Sequence, residues 1–282
     1  LESHYVAGIS FLNENTMFLR LRHSLLPERT LVISAGRGLW LTKYQLKKEG
    51  TSFLLGPLRK EIERSKFISI KQPNYERVVF IDFNGKLGPR RLVAEFFREG
   101  NLLILDENEA ILSLLKPLRV KHRDLRRGSM YNLPPTRGTP IHLFDESDFR
   151  NIRESKNRIV QDLGRIISTS RKYIEEIVAR SEVRSDIRGV DLSDDEIQRL
   201  SENVKILSSQ FRSRNSNSLV WYSDGKVVEA SPFQLETMKS YESRSVASFN
   251  EAIDEIFVAE ILTLGKSRQT EPVKKKVLEM EQ

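Results

Sequence analysis

The 282-residue chain contains no cysteine. That excludes disulfide staples, thiolate zinc sites, iron–sulfur clusters and cysteine nucleophiles, and it fits a reducing cytoplasm. No apolar stretch approaches the roughly 20 residues of a membrane-spanning helix. The N-terminus shows no charged region leading into an apolar one, so no secretory signal is read. Histidine is scarce: His4, His23, His122 and His142 have no metal-ligand spacing, and no metal or other cofactor is expected. Neither a G-x-S-x-G elbow nor a G-x-G-x-x-G turn occurs. Gly265-Lys266-Ser267 resembles the end of a phosphate loop, but Glu260 stands where its first glycine belongs. A backbone cannot wrap phosphates there. Catalysis is not expected, and no catalytic residue is assigned.

What is present is charge. Of the residues, 30% are charged and 39% hydrophobic, and the net charge is +7. The surplus is uneven. Residues 1–140 hold 24 Lys and Arg against 14 Asp and Glu, a balance of +10, whereas residues 141–282 hold 22 against 25, a balance of −3. A basic half beside a near-neutral half suits an anionic polymer, and nucleic acid leads the candidate partners.

Periodicity divides the chain along the same line. Residues 1–115 read as a β-rich lobe with one helix. In Thr16–Arg22, Met17, Leu19 and Leu21 face a core, while Phe18, Arg20 and Arg22 share the exposed face. Two strand-like runs flank Gly36-Arg37-Gly38, a hairpin signal. Residues 52–64 read as a helix with Phe53, Leu54, Leu58 and Ile62 on one stripe, despite Pro57. Further strands are expected at 67–70, 77–83, 92–97 and 102–105. Residues 116–140 read as a basic connector ending in a Pro/Gly hinge, with Lys116, Arg119, Lys121, Arg123, Arg126 and Arg127 as candidate RNA phosphate contacts. Arg20 and Arg22 form a weaker candidate patch.

Residues 141–265 read as mainly helical, with helices at 148–163, 170–180 and 193–211. The run Ser193-Asp194-Asp195-Glu196 is a capping box. A small hairpin around Asp224-Gly225 is expected at 219–228, and Ser248-x-x-Glu251 caps a last helix with Phe249, Ile253, Ile256 and Phe257 inward. The turn Ile166–Ser170 lacks the glycines that let backbone amides approach a phosphate, so this lobe is expected to contact protein more than nucleic acid. Residues 266–282 read as the start of a charged helix or coiled coil.

Several unusual strings occur in one order: Leu19-Arg20-Leu21-Arg22-His23, Leu31-Val32-Ile33-Ser34-Ala35-Gly36, Leu58-Arg59-Lys60, Ile70-Lys71-Gln72-x-x-x-Glu76-Arg77-Val78-Val79, Glu95-Phe96-Phe97-x-x-Gly100-Asn101-Leu102, and Gly128-x-x-Tyr131-x-x-Pro134-Pro135. The ordered set resembles the NFACT N-terminal domain of the ribosome quality control proteins called RqcH in bacteria and NEMF in animals. Some of these carry the older label of fibronectin-binding proteins. The resemblance implies an α+β fold similar to the Fpg/Nei (MutM) glycosylases: a β-sandwich lobe, then a lobe related to helix–hairpin–helix modules. It further implies cytoplasmic binding to large ribosomal subunits obstructed by peptidyl-tRNA, and recruitment of tRNA to extend the stalled peptide. A coiled coil and an RNA-binding module follow in full-length members.

The family's tRNA contacts include an Asp-Arg pair after a Gln. The matching positions are Gln72, Glu76 and Arg77, with Glu in place of Asp; an early Asp has no counterpart, and its segment is expected to lie before Leu1. The residues themselves leave two readings of Glu76-Arg77 open. One is an ion pair at the start of a strand. The other is an RNA contact, in which a planar guanidinium bridges phosphate oxygens or stacks on a base. A DNA glycosylase needs an N-terminal Pro-Glu and a cysteine-rich zinc finger, and neither is present. A surface adhesin, the older label, fits the basic lobe less well than RNA.

Overall fold

The structure is a computed structural model that describes residues 1, 3–44, 50–136, 138–213 and 217–261. The expected coiled-coil start at 266–282 lies outside them. The chain divides into two units, Leu1–Thr136 and Arg137–Gln282.

The first unit is built on nine antiparallel strands: β1 (Tyr5–Asn13), β2 (Thr16–Arg22), β3 (Arg29–Ser34), β4 (Gly38–Thr42), β5 (Lys66–Lys71), β6 (Val78–Gly85), β7 (Gly88–Glu95), β8 (Asn101–Leu105) and β9 (Ile111–Leu114). Their order is β4-β3-β2-β1-β5-β6-β7-β8-β9. The β1–β5 junction rests on the pair Tyr5–Lys66. One core draws on both halves of the sheet, with Leu19, Leu21 and Ile33 on one side and Ile81, Leu92 and Ile104 on the other. Helix α1 (Leu55–Ile62) adds Leu58 and Ile62, with Leu54 at its N-terminal boundary. Pro57 falls in the first turn of α1, where no backbone donor is needed.

Two sequence expectations change here. Phe18 is buried, not exposed, because the cross-strand row Ser10–Phe18–Val32–Trp40 makes an apolar patch on the second face. Phe53 is 64% exposed, because α1 begins only after it.

The segment read as a basic connector contains a hairpin of its own. Strands β10 (Leu118–Val120) and β11 (Arg123–Leu125) form a hairpin, and the chain then returns along β9, where Gly128 N donates to Ile111 O and Tyr131 N to Glu109 O. This covers a sheet edge that would otherwise present free backbone groups. Buried Asn101 pins the start of the segment: its Nδ2 donates to Lys116 O at 2.7 Å and its Oδ1 accepts from Lys116 N at 3.0 Å.

In the second unit, β12 (Thr139–Pro140) pairs in parallel with β13 (Ile167–Ser168). Helices α2 (Ile159–Ile166), α3 (Arg171–Arg180) and α4 (Asp194–Arg212) share a core through Leu163, Ile177 and Leu200. Ser193 and Glu196 make the expected capping box. Strands β14 (Ser218–Ser223), β15 (Lys226–Ser231) and β16 (Glu242–Val246) form a sheet ordered β15-β14-β16, against which helix α5 (residues 249–261) packs Ala252. Phe249 is 36% exposed instead of inward.

The single helix expected at 148–163 is broken into a 3-10 turn at Glu146–Ile152 and α2. The backbone at 187–190 intrudes: Ile159 N donates to Ile187 O, and Val190 N to Ser155 O. Gly189 sits so close that a Cβ there would lie 2.0 Å from Ile152 O. Tertiary hydrogen bonds have replaced the helical ones at the break.

Buried Glu176 ties α3 to the turn after β15. Its carboxylate accepts from the backbone N–H groups of Glu236 (2.8 Å) and Thr237 (3.0 Å), the Thr237 hydroxyl (2.9 Å) and Arg180 Nε (2.5 Å). Burial pushes its pKa up, but the donors outweigh this and hold it below the usual value. A depressed pKa adds stability above the unfolded value of about 4.3, lost as pH falls through the lower native value. In acid unfolding monitored by circular dichroism, Glu176→Gln is therefore expected to flatten the loss of stability below about pH 4.3, while lowering stability at neutral pH.

Gly100 and Gly36 mark a close approach between the β7–β8 and β3–β4 turns. A Cβ on Gly100 (φ +71°) would lie 1.8 Å from Gly36 N, whereas one on Gly88 (φ +86°) meets nothing nearer than 3.8 Å. Gly88→Ala is expected to cost roughly 1–3 kcal/mol of backbone strain. Gly100→Ala adds a backbone clash, and urea unfolding is expected to show it as distinctly worse.

Candidate nucleic-acid interface

The segment Gln72–Arg77 joins β5 to β6 as a closed loop. Gln72 Nε2 donates to Glu76 O at 2.8 Å, and Glu76 N to Pro73 O at 3.0 Å. Between them, Asn74 (φ +50°) and Tyr75 (φ +56°) are both left-handed, at roughly 1–3 kcal/mol each for non-glycine residues. Gln72, expected to touch tRNA, uses its amide nitrogen to brace the loop.

The two open readings of Glu76-Arg77 now separate. No carboxylate of the described residues pairs with Arg77, which is exposed. The strand-start ion pair is therefore absent. Glu76 is half-buried, and its Oε1 is shielded from solvent and accepts no hydrogen bond among the described residues. A shielded acceptor without a donor costs roughly 1–3 kcal/mol.

The end of β7 holds Arg77 in place. Phe96 N donates to Arg77 O at 2.8 Å, and Val78 lies opposite Glu95. The buried Glu95 carboxylate pairs with Arg123 at 2.5 Å and accepts from the Tyr131 hydroxyl at 2.9 Å. Arg123 also donates to Asn132 O at 2.9 Å and lies over the rings of Phe97 and Tyr131. Burial first, and the Glu95 charge second, push the Tyr131 phenol far above its usual pKa, which keeps it a donor.

Arg123 must therefore be struck from the candidate phosphate contacts: its side chain is only 4% exposed and its charge is matched inside the lobe. The alternation Arg123-x-Leu125, with both residues inward on β11, carried that signal. The other basic candidates divide. Lys116 pairs with Glu99 at 3.0 Å and Arg126 with Asp124 at 3.2 Å. Arg119, Lys121 and Arg127 are exposed, and no carboxylate of the described residues pairs with them. Arg20 and Arg22 share Glu28 at 3.9 and 3.5 Å, on a strand separated from β6 by β1 and β5. Lys71 and Arg98, not singled out in the sequence, are also exposed without a pairing carboxylate among the described residues. Lys71 precedes the loop directly, and Arg98 follows the Phe96–Arg77 hydrogen bond by two residues.

A groove of about 900 Å³ in the second unit is lined by Arg158, Arg165, Arg171 and Glu175 among others. Arg171 is tied to Glu175 at 2.7 Å and Arg165 lies 3.7 Å from Asp162. None of the sequence-predicted site residues lines it.

A basic β-rich unit followed by a mainly helical unit gives the chain an α+β fold in two units. Comparison with known proteins agrees. The family model described as NFACT N-terminal and middle domains matches residues 2–281, and the chain belongs to that family. It is similar to the archaeal Rqc2 homolog aRqcH of Methanocaldococcus jannaschii, with 29% identity over 88% of this chain and 38% of the relative. It is also similar to ribosome quality control complex subunit 2 of Saccharomyces cerevisiae, with 28% identity over 56% of this chain and 14% of the relative. The chain thus spans well under half the length of these relatives. A solved structure titled the fibrinogen binding protein from Staphylococcus aureus shares the fold, with a TM-score of 0.67, 20% identity and coverage of 90% of this chain and 92% of that one.

Removing Arg123 strands a buried carboxylate. Arg123→Ala is expected to destabilise the first unit by about 3–5 kcal/mol in chemical unfolding. The double variant Glu95→Gln/Arg123→Met, which leaves no buried charge, is expected to recover at least half of that loss.

Proposed function

We propose that this chain is a non-enzymatic RNA-binding module of a ribosome-associated quality control factor. In this reading it works in the cytoplasm on large ribosomal subunits obstructed by peptidyl-tRNA, and it recruits tRNA there to extend the stalled peptide. The observation that carries the RNA reading is the exposed Arg77, with which no carboxylate of the described residues pairs, on a braced loop. A guanidinium takes phosphate or a base edge, and the Glu76 carboxylate accepts from a base amino group or a 2′-hydroxyl, which distinguishes RNA from DNA. Arg119, Lys121 and Arg127 supply phosphate attraction from the β10–β11 hairpin and the turn after it. The names of the archaeal and yeast relatives support the ribosomal setting.

A second reading, adhesion to an extracellular protein, is favoured by the name of the Staphylococcus aureus structure. The charge surplus of the first lobe and the Glu76-Arg77 geometry favour RNA instead.

In an anisotropy titration, unmodified transcribed tRNA is expected to bind in the micromolar range or tighter at low salt, weakening at least tenfold between about 50 and 200 mM salt. Arg77→Ala is expected to cost about 1–3 kcal/mol of affinity without altering the unfolding midpoint. Absence of tRNA binding at low salt, together with saturable binding to immobilised fibrinogen, would favour the adhesin. Duplex DNA containing abasic sites is expected to remain uncleaved.

A further inference from the structure

We infer that the groove along α2 and α3 in the second unit seats a short acidic, amphipathic helix from a partner protein. This partner is additional to RNA, and the groove takes it whether or not the first unit binds tRNA.

Gly164 points to a close approach from outside the chain. It lies within α2, where a glycine weakens the helix relative to alanine. Its backbone is not left-handed, and a Cβ built on it would meet nothing within 4 Å. Neither a turn nor packing among the described residues therefore calls for glycine at this position. Gly164 is exposed and lines the groove, so its bare backbone leaves room for a partner's main chain to come near. Ala179, on α3, lines the same groove and keeps that wall low as well.

The rest of the lining specifies the partner. The floor is apolar: Val160 is half-buried, and Ile174, Val178 and Val183 are buried. Around it stand Arg158, Arg165 and Arg171 against one carboxylate, Glu175, a surplus of two positive charges (3 − 1). Arg158, at the start of α2, is exposed, and no carboxylate of the described residues pairs with it. A phosphate chain is a poor match, because it gains nothing from the apolar floor and meets repulsion at Glu175. A helix can set apolar residues three and four positions apart on the floor. It can then place carboxylates beside the arginines and leave Glu175 facing none of them.

The test uses the full chain as bait for a phage-displayed library of random linear peptides, with an unmodified transcribed tRNA as control ligand. Enriched peptides are expected to carry Asp or Glu together with apolar residues at three- and four-residue spacing. Synthesised and titrated by anisotropy, they are expected to bind the parent and to lose about tenfold or more in affinity to Gly164→Leu, which fills the groove. Arg158→Glu, an exposed change that leaves the groove open, is expected to cost about fivefold or more and to weaken the salt dependence. Both variants are expected to hold tRNA affinity within about twofold, since the RNA-binding loop belongs to the other unit. Gly164→Ala is expected to raise the thermal unfolding midpoint while weakening the peptide, a combination that a glycine kept for the fold would not give.

No enrichment above an uncoated surface, or enriched peptides without acidic residues, would overturn the inference. So would peptides whose binding survives Gly164→Leu, or a lower unfolding midpoint in Gly164→Ala. If tRNA displaces the peptides and both groove variants weaken tRNA equally, the groove belongs to RNA and the protein partner falls. A parent that selects acidic peptides but binds no tRNA leaves this inference standing and removes the RNA-binding reading.

Discussion

The buried carboxylate of Glu95 is the constraint on which the first lobe depends. Its side chain holds Arg123 and Tyr131 on one face of the sheet, and its backbone oxygen accepts from Gly36 N at 3.3 Å in the β3–β4 turn. Its cross-strand neighbour is Val78, immediately after Arg77. One residue thus joins the basic hairpin, the turn of the opposite half-sheet and the loop bearing Glu76 and Arg77. A buried ion pair contributes little net stability compared with apolar packing, but breaking it is costly. In this lobe its effect is registry: it admits one placement of β11 against β7.

The second lobe repeats the device with different parts. Glu176 gathers two backbone amides, a hydroxyl and a guanidinium, and so locks α3 to the turn that follows the small sheet. Arg180 extends the tie to Gln210 and the Gln234 carbonyl. Glu76, on the loop after β5, has one shielded oxygen without a donor among the described residues, as does buried Asp162 in the second lobe.

Much of the architecture was legible from pattern. Pattern placed β2 to β8 of the first-lobe sheet but not β1 or β9, the Ser193 capping box marked the start of α4, and Asp224-Gly225 marked the β14–β15 hairpin. The misreadings share one cause. The helix expected at 148–163 is interrupted by backbone arriving from residues 187–190. Phe18, alternating with two arginines, is buried by Val32 and Trp40 from neighbouring strands. Local periodicity reports which faces differ, not what covers the second face.

Composition, charge asymmetry and alternation by themselves determined a basic β-rich lobe followed by a near-neutral helical one, because these depend on residues close together in the chain. Only the tertiary structure decided which cations stay available. Arg123 is paired with a carboxylate 28 positions away and Lys116 with one 17 away, while Arg77 has no pairing carboxylate among the described residues although Glu76 adjoins it. Ion pairing follows distance in space and the direction of side chains, and adjacent residues on extended backbone point to opposite sides.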